Sequence, residues 1–142
     1  MTSFVVDSSV VFRWYRQTGD EDYVPQAVSI LERYLHGEIE THVPDLLFHE
    51  LGNILRLKET LVSKDAFTIL RETFALSLLT HLIDLALSEE AFRFARGRDL
   101  TFCDASFVAL ARLLDASFIT ADKKLFLKLK TMPTAIFLGS LS

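Results

Sequence analysis

The chain has a single cysteine, Cys103, among 142 residues, so no internal disulfide can staple the fold and stability must come from a packed core. Glycine and proline are scarce, at five and three residues, and they do not gather into a linker or a low-complexity tract. No internal repeat is present, so nothing marks a boundary, and residues 1–142 read as one domain. No uninterrupted apolar run approaches the roughly 18 residues of a membrane-spanning helix. Half of the residues are nevertheless hydrophobic, 12 of them Phe, which assigns that character to a core and to a buried oligomer face. The N-terminus has no basic stretch leading into a cleavable apolar segment, and with the lone cysteine this points to the cytoplasm. Positive charge is not in excess either. The formal net charge of −4 excludes a chain that attracts nucleic acid through its overall field. Local groups such as Arg93, Arg96 and Arg98, or Lys123, Lys124, Lys128 and Lys130, read first as solvated helix ends.

What the chain does have is an alternation of short strands and helices. Phe4 to Val6 reads as a strand running straight into a helix from Ser8 to Arg16. Pro25 opens a second helix, with Ala27, Val28, Ile30, Leu31, Tyr34 and Leu35 at helical spacing and Gly37 as its stop. Ile39, Thr41 and Val43 alternate along a strand ending at Pro44, and Asp45 is the expected N-cap of a helix to about Lys58. Ser63 is the expected cap of a helix to about Leu76, followed by a strand near Leu79 to Ile83 and a helix stopping at Gly97. Thr101 opens a helix with the interior ASFVALARLL, Ser117 to Thr120 is a strand, Asp122 caps KKLFLKLK, and Ala135 to Leu138 closes the chain. Strands separated by helices in this way imply βα units, a mostly parallel sheet of about five strands, and helices on both faces.

The stretch FVVDSSVVF places the carboxylate of Asp7 in apolar surroundings, where an ionised group costs several kcal/mol unless it has a partner. In a parallel sheet with right-handed crossovers, the strand-to-helix turns share one edge, outside the carboxyl ends of the strands. Asp7 and Asp122 follow strands, Glu50 lies in the second turn after the second strand, and Asp104 heads its own helix. Each has an ordinary structural role open to it. Asp7 and Asp122 suit N-caps, Thr101 with Asp104 matches a capping box, and Glu50 could pair with His49, Arg56 or Lys58. Together they form a repulsive group, since two carboxylates about 4 Å apart repel by roughly 4 kcal/mol at an effective dielectric near 20. Such a group calls for a cation, and oxygen-only ligands suit Mg²⁺ or Mn²⁺. The four histidines, His36, His42, His49 and His81, are scattered through the sequence without zinc-site spacing. Carboxylate-held hard cations suit phosphodiester hydrolysis, and Ser9 and Asn53 fit as supporting polar groups, Asn53 one helical turn from Glu50.

The succession VVDSSV, HELGNIL, TFCDASFVALA and FITADKKLF resembles the PIN domain family, and within it the small VapC-type toxins of toxin–antitoxin systems. The four motifs span Val5 to Leu125 in the family's order. The resemblance implies a three-layer α/β/α sandwich and a metal-dependent ribonuclease acting on RNA. It makes Asp7, Glu50, Asp104 and Asp122 the acidic quartet that holds Mg²⁺ or Mn²⁺. Ser9 then supports the first Asp, and Thr120 matches a hydroxyl position two before the last. It further implies a homodimer and inhibition by a cognate antitoxin. Two positions depart from the pattern. Phe102-Cys103 stands where a Tyr is common before the third acid, and Phe107 replaces another Tyr, with an expected effect on substrate contacts. A catalytically silent module that holds RNA or antitoxin is the alternative. A receiver-like phosphoacceptor would need an Asp and a late-strand Lys that the sequence does not clearly pair.

Overall fold

The computed structural model describes residues 1–142. Five strands, β1 (Thr2–Val6), β2 (Ile39–Pro44), β3 (Leu79–His81), β4 (Ser117–Thr120) and β5 (Ala135–Phe137), form one sheet in the order β3-β2-β1-β4-β5. Every pairing is parallel. The chain therefore steps outward from β1 to β3, crosses back, and steps outward again from β4 to β5. That reversal places a topological switch point between β1 and β4, where the crevice of an open parallel sheet forms.

Seven helices cover the sheet. The helices α1 (Ser8–Arg13), α2 (Val24–Leu35), α3 (Leu46–Leu57) and α4 (Ser63–Ala75) pack on one another, with α2 and α3 against β2. The antiparallel pair α5 (Leu85–Arg98) and α6 (Phe102–Leu113) is joined to α7 (Lys123–Leu129) through Arg98, and α6 lies across β1, β2 and β4. A 3₁₀ turn over Leu138–Ser140 ends the fold. The expected three-layer α/β/α sandwich is what forms.

Burial explains the two most hydrophobic stretches. Val5, Val6, Phe118 and Ile119 on the central strands are sealed from water on both faces, as a parallel sheet requires. The α6 segment Ala105 to Ala111 is buried at all seven positions, which accounts for its lack of a polar face. At about 25 cal/mol per Å² of apolar surface, each large side chain here contributes roughly 1.5–3 kcal/mol.

Several element ends differ from those expected. The first helix stops at Arg13, not Arg16, and the third strand at His81, not Ile83. Val62 occupies the cap position of α4, with Ser63 already helical. Asp45 precedes α3 without a side-chain capping bond. Helix α5 runs through Gly97 and ends at Asp99, whose φ of 55° is left-handed, a conformation that Asp tolerates better than most residues. Its start, which the sequence reading left open, is capped by Asp84, whose carboxylate accepts from Leu87 N at 2.8 Å.

Candidate active site

Asp7 follows β1 at the switch point. Its Oδ1 accepts from the Ser9 hydroxyl at 2.5 Å and from the backbone amides of Ser9 and Val10 at 3.1 and 3.3 Å, so it does cap α1. Its Oδ2 accepts from the Thr120 hydroxyl at 2.5 Å, across the gap to β4. Each hydroxyl is fixed in turn, because Ser9 Oγ accepts from Ala121 N at 2.9 Å and Thr120 Oγ1 from Asp122 N at 3.0 Å. Donation to Asp7 and acceptance from a backbone amide use both hydroxyls in one sense only, which locks the carboxylate's orientation. Burial still pushes the Asp7 pKa up to about 6 against these hydrogen bonds, and the like charge of Asp104 adds to the rise.

The other three acids face the same crevice. Glu50 projects from α3, and the hydroxyl of Ser8 donates to it at 3.1 Å. It forms no ion pair, and Lys58, one of its candidate partners, is engaged by Glu21 at 3.1 Å. Burial, with Asp104 and Asp7 as like charges nearby, pushes the Glu50 pKa up to about 7. Asp104 lies in the first turn of α6, where its amide donates to Thr101 Oγ1 at 3.1 Å, one half of the expected capping box. Burial raises its pKa too, and the Asp122 carboxylate contributes. Asp122 caps α7 by accepting from Leu125 N at 3.1 Å, and it lines a cleft with Asp104. The capping roles and the convergence hold together: strand-to-helix turns are where acids cap helices and also where the crevice opens.

A profile of the PIN domain family matches residues 4–130, nine-tenths of the chain. The chain belongs to the PIN domain family. Solved structures with the same fold include PAE2754 from Pyrobaculum aerophilum, 22% identical, with a TM-score of 0.69 over 96% of this chain and 84% of that one. A toxin–antitoxin complex from Klebsiella pneumoniae is 17% identical, with a TM-score of 0.70 over 94% and 96% of the two chains. The toxin VapC20 of Mycobacterium tuberculosis, described as cleaving the sarcin-ricin loop, is 13% identical, with a TM-score of 0.64 over 87% and 93%. At these identities the likeness is one of fold. No curated protein sequence matches the chain.

The PIN crevice was tested against the divalent ion that its acids suggest. No three His, Cys, Asp or Glu side chains stand close enough together to enclose one ion. Mg²⁺ does not require such a cage, since it keeps several waters and is held by one or two carboxylates. The donor set is all oxygen, and three of its four carboxyls have pKa values raised partly by one another, so a cation there relieves a repulsion that the protein otherwise retains. On donor chemistry the residues fit.

Neighbouring positions lie as follows. Asn53 is exposed and makes no hydrogen bond to the acids. Phe107 is 1% exposed within α6, so the departure from Tyr is a matter of core packing and not of substrate contact. Phe102 and Cys103, in contrast, are exposed beside Asp104. The histidines are not all scattered in space: His42 Nδ1 meets His81 Nε2 at 2.8 Å across β2 and β3. Ser8, the donor to Glu50, stands inside the DSS triplet, where nothing in the local sequence signals a partner 42 residues away.

Proposed function

We propose that this PIN protein is a metal-dependent endoribonuclease and the toxin of a toxin–antitoxin pair. The observation that carries the reading is the convergence of Asp7, Glu50, Asp104 and Asp122 at the sheet's switch point, with no cationic side chain paired to Asp7 or Glu50. A bound Mg²⁺ or Mn²⁺ supplies a nucleophilic water at neutral pH and charge stabilisation at the leaving oxygen. Asp7, held from both sides by Ser9 and Thr120, is the fixed ligand, and Asp104 and Asp122 approach the crevice from two helix starts. Glu50, on the far side and returned to its ionised form by a nearby cation, is placed to orient the attacking water and accept its proton. The closed hydroxyl relay at Asp7 supports this assignment, because ligand carboxylates need such outer partners to keep their aim.

The partners follow from the same reading. RNA is the substrate, and a cognate antitoxin is the inhibitor. The exposed Leu82, Ile83 and Leu85, beside the edge strand β3, support a homodimer as the working unit, since apolar groups so grouped seek cover. No helix is long and apolar enough to cross a membrane, and we place the protein in the cytoplasm as one domain. The silent binding module is the second reading, favoured by the absence of a three-ligand cage. Incubating the purified chain with single-stranded RNA and Mn²⁺ separates the two. Cleavage that requires the metal and disappears in Asp104→Asn supports the nuclease, and Mn²⁺-independent binding without cleavage supports the module.

A further inference from the structure

Charge is unevenly distributed along the chain. From Glu89 onward, eight Lys and Arg stand against six Asp and Glu, a net of +2, whereas before it seven stand against thirteen, a net of −6. Much of the positive charge collects where α5, α6 and α7 meet. A cleft of about 360 Å³ is lined by Asp99, Asp104 and Asp122 together with Lys124 and Lys128. A second, of about 570 Å³, is lined by Arg93, Arg98 and Arg112 along α5 and α6, with Glu90 as its one acid. The two clefts adjoin at Arg98, whose Nη1 donates to Lys128 O at 3.3 Å and to Thr131 Oγ1 at 2.8 Å.

These cations are more than an interhelical ion-pair network needs. Glu90 serves both Arg112, at 2.9 Å, and Arg93, at 3.0 Å, with Glu89 a longer partner of Arg93 at 3.8 Å, and the two guanidiniums remain about two-thirds exposed. Each guanidinium has five N–H donors and keeps several for solvent. Lys128 is engaged by Asp99, through its backbone oxygen at 2.6 Å and its carboxylate at 3.7 Å, whereas Arg98 and Lys124 have no carboxylate partner within 4.0 Å. Arg98 is nevertheless held in place through its bonds to α7. A fixed, unneutralised guanidinium at the junction of two clefts, one of them lined by Asp104 and Asp122, suits a chain of phosphates.

We propose that single-stranded RNA leaves the acidic crevice along this side. Lys124 holds the phosphate next to the scissile one, Arg98 holds the following phosphate, and Arg93 and Arg112 extend the track. Arg112 is eight residues beyond Asp104 on α6, about 12 Å along the helix, which leaves room for more than one phosphate. The track rests on the ribonuclease reading and adds to it where the strand runs. Because it contacts backbone only, it contributes affinity without sequence preference.

The test is the salt dependence of binding of a labelled single-stranded RNA, followed by fluorescence anisotropy without divalent metal so that nothing is cut. Each lost phosphate contact should reduce the slope of log K against log salt by about 0.7. The Arg93→Gln, Arg98→Gln, Lys124→Gln triple variant should lower the slope by about 2, equally for two unrelated RNA sequences. Lys124→Gln alone touches an exposed, unbonded side chain and should lower it by about 0.7 even if the triple variant fails to fold. Lys64→Gln with Arg71→Gln, on α4, should leave the slope unchanged. Bound RNA with an unaltered slope in the Lys124 and triple variants overturns the track while leaving the nuclease standing. Absence of metal-free RNA binding by the unaltered chain overturns the track, while the Mn²⁺ cleavage assay decides the nuclease separately. Loss of poly-glutamate binding in the variants, with RNA binding intact, assigns the cations to an acidic protein and overturns the RNA track.

Discussion

Two polar clusters lie on the same parallel sheet. One, at the carboxyl ends of β1 and β4, joins Asp7 to Ser9 and Thr120 and faces Glu50, Asp104 and Asp122. The other runs across β1, β2 and β3: Ser3 donates to Glu40 at 2.9 Å, Glu40 meets His42 Nε2 at 3.2 Å, and His42 meets His81 at 2.8 Å. Both are hydroxyl–carboxylate chains on neighbouring strands. In the second, acid and imidazole satisfy one another. The first collects like charges, and its hydrogen bonds fix a carboxylate without neutralising it. Position accounts for the difference, since the first cluster stands where the chain leaves the sheet at its switch point and the second lies within strand register, toward an edge.

The largest effect should come from removing the first cluster's charge. Asp7→Asn keeps the shape and the Ser9 contact, so the fold should persist, while metal-dependent RNA cleavage should fall about 10³-fold, within the usual range for an essential acid–base or ligand group. Cleavage assays beside circular dichroism decide it. Retained cleavage in a pure preparation would remove Asp7 from the mechanism.

The next effect is on stability. Asp7, Glu50 and Asp104 have folded pKa values above their ordinary ones, so folding takes up protons. The stability is present in full below the ordinary values, 3.8 for Asp7 and 4.5 for Glu50, and is lost as pH rises through about 6 for Asp7 and about 7 for Glu50. For Asp7 the rise from 3.8 to about 6 corresponds to about 3 kcal/mol. In EDTA, the urea midpoint should therefore fall between pH 5 and pH 8, and Mg²⁺ should restore it. A midpoint indifferent to Mg²⁺ at pH 8 would count against a cation in the crevice.

A smaller change tests the relay. Thr120→Val removes the donor to Asp7 Oδ2 and the acceptor for Asp122 N at nearly constant volume. Loss of an outer partner of this kind should lower cleavage about 10- to 100-fold, chiefly by weakening metal affinity. Raising the Mn²⁺ concentration should recover much of the loss. A variant with normal metal dependence would make the Thr120 bond a matter of folding alone.

How much of this was legible depends on sequence distance. Asp7 stands directly after β1 and Asp122 two residues after the end of β4, so helix-start chemistry together with the shared strand edge locates both from sequence. The parallel sheet and the α/β/α layering followed from strand and helix periodicity alone. The contact of Ser8 with Glu50 spans 42 residues and depends on how α1 packs on α3, which periodicity does not give. The His42–His81 contact spans 39 residues and depends on the register of β3, a three-residue strand with exposed Leu79 and a weak local signature. Phe107 was misread because family motif position says nothing about which side of a buried helix a residue faces.

The smallest effect belongs to the second cluster and has the opposite sign. Burial, and then the neighbouring His42, lower the His81 pKa, so folding favours its neutral form. Its contribution is present above the ordinary histidine value of 6.5 and is lost as pH falls below it. Charging His81 disrupts its contact with His42 Nδ1 beside an edge strand held by one neighbour, and Asp45 N, which donates to His81 O at 2.9 Å, loses a firm acceptor. Hydrogen exchange at pH 5.5, corrected for intrinsic rate, should therefore show faster opening at Asp45 and the β2–β3 amides than at pH 7.5. The metal-free amides of Ser9, Val10 and Ala121 should open more slowly over the same change, because Asp7 is then partly protonated. His81→Gln should abolish the first trend and leave the second. Parallel behaviour of the two sets would mean that the clusters respond to acid as one cooperative unit and that their chemistry does not separate them.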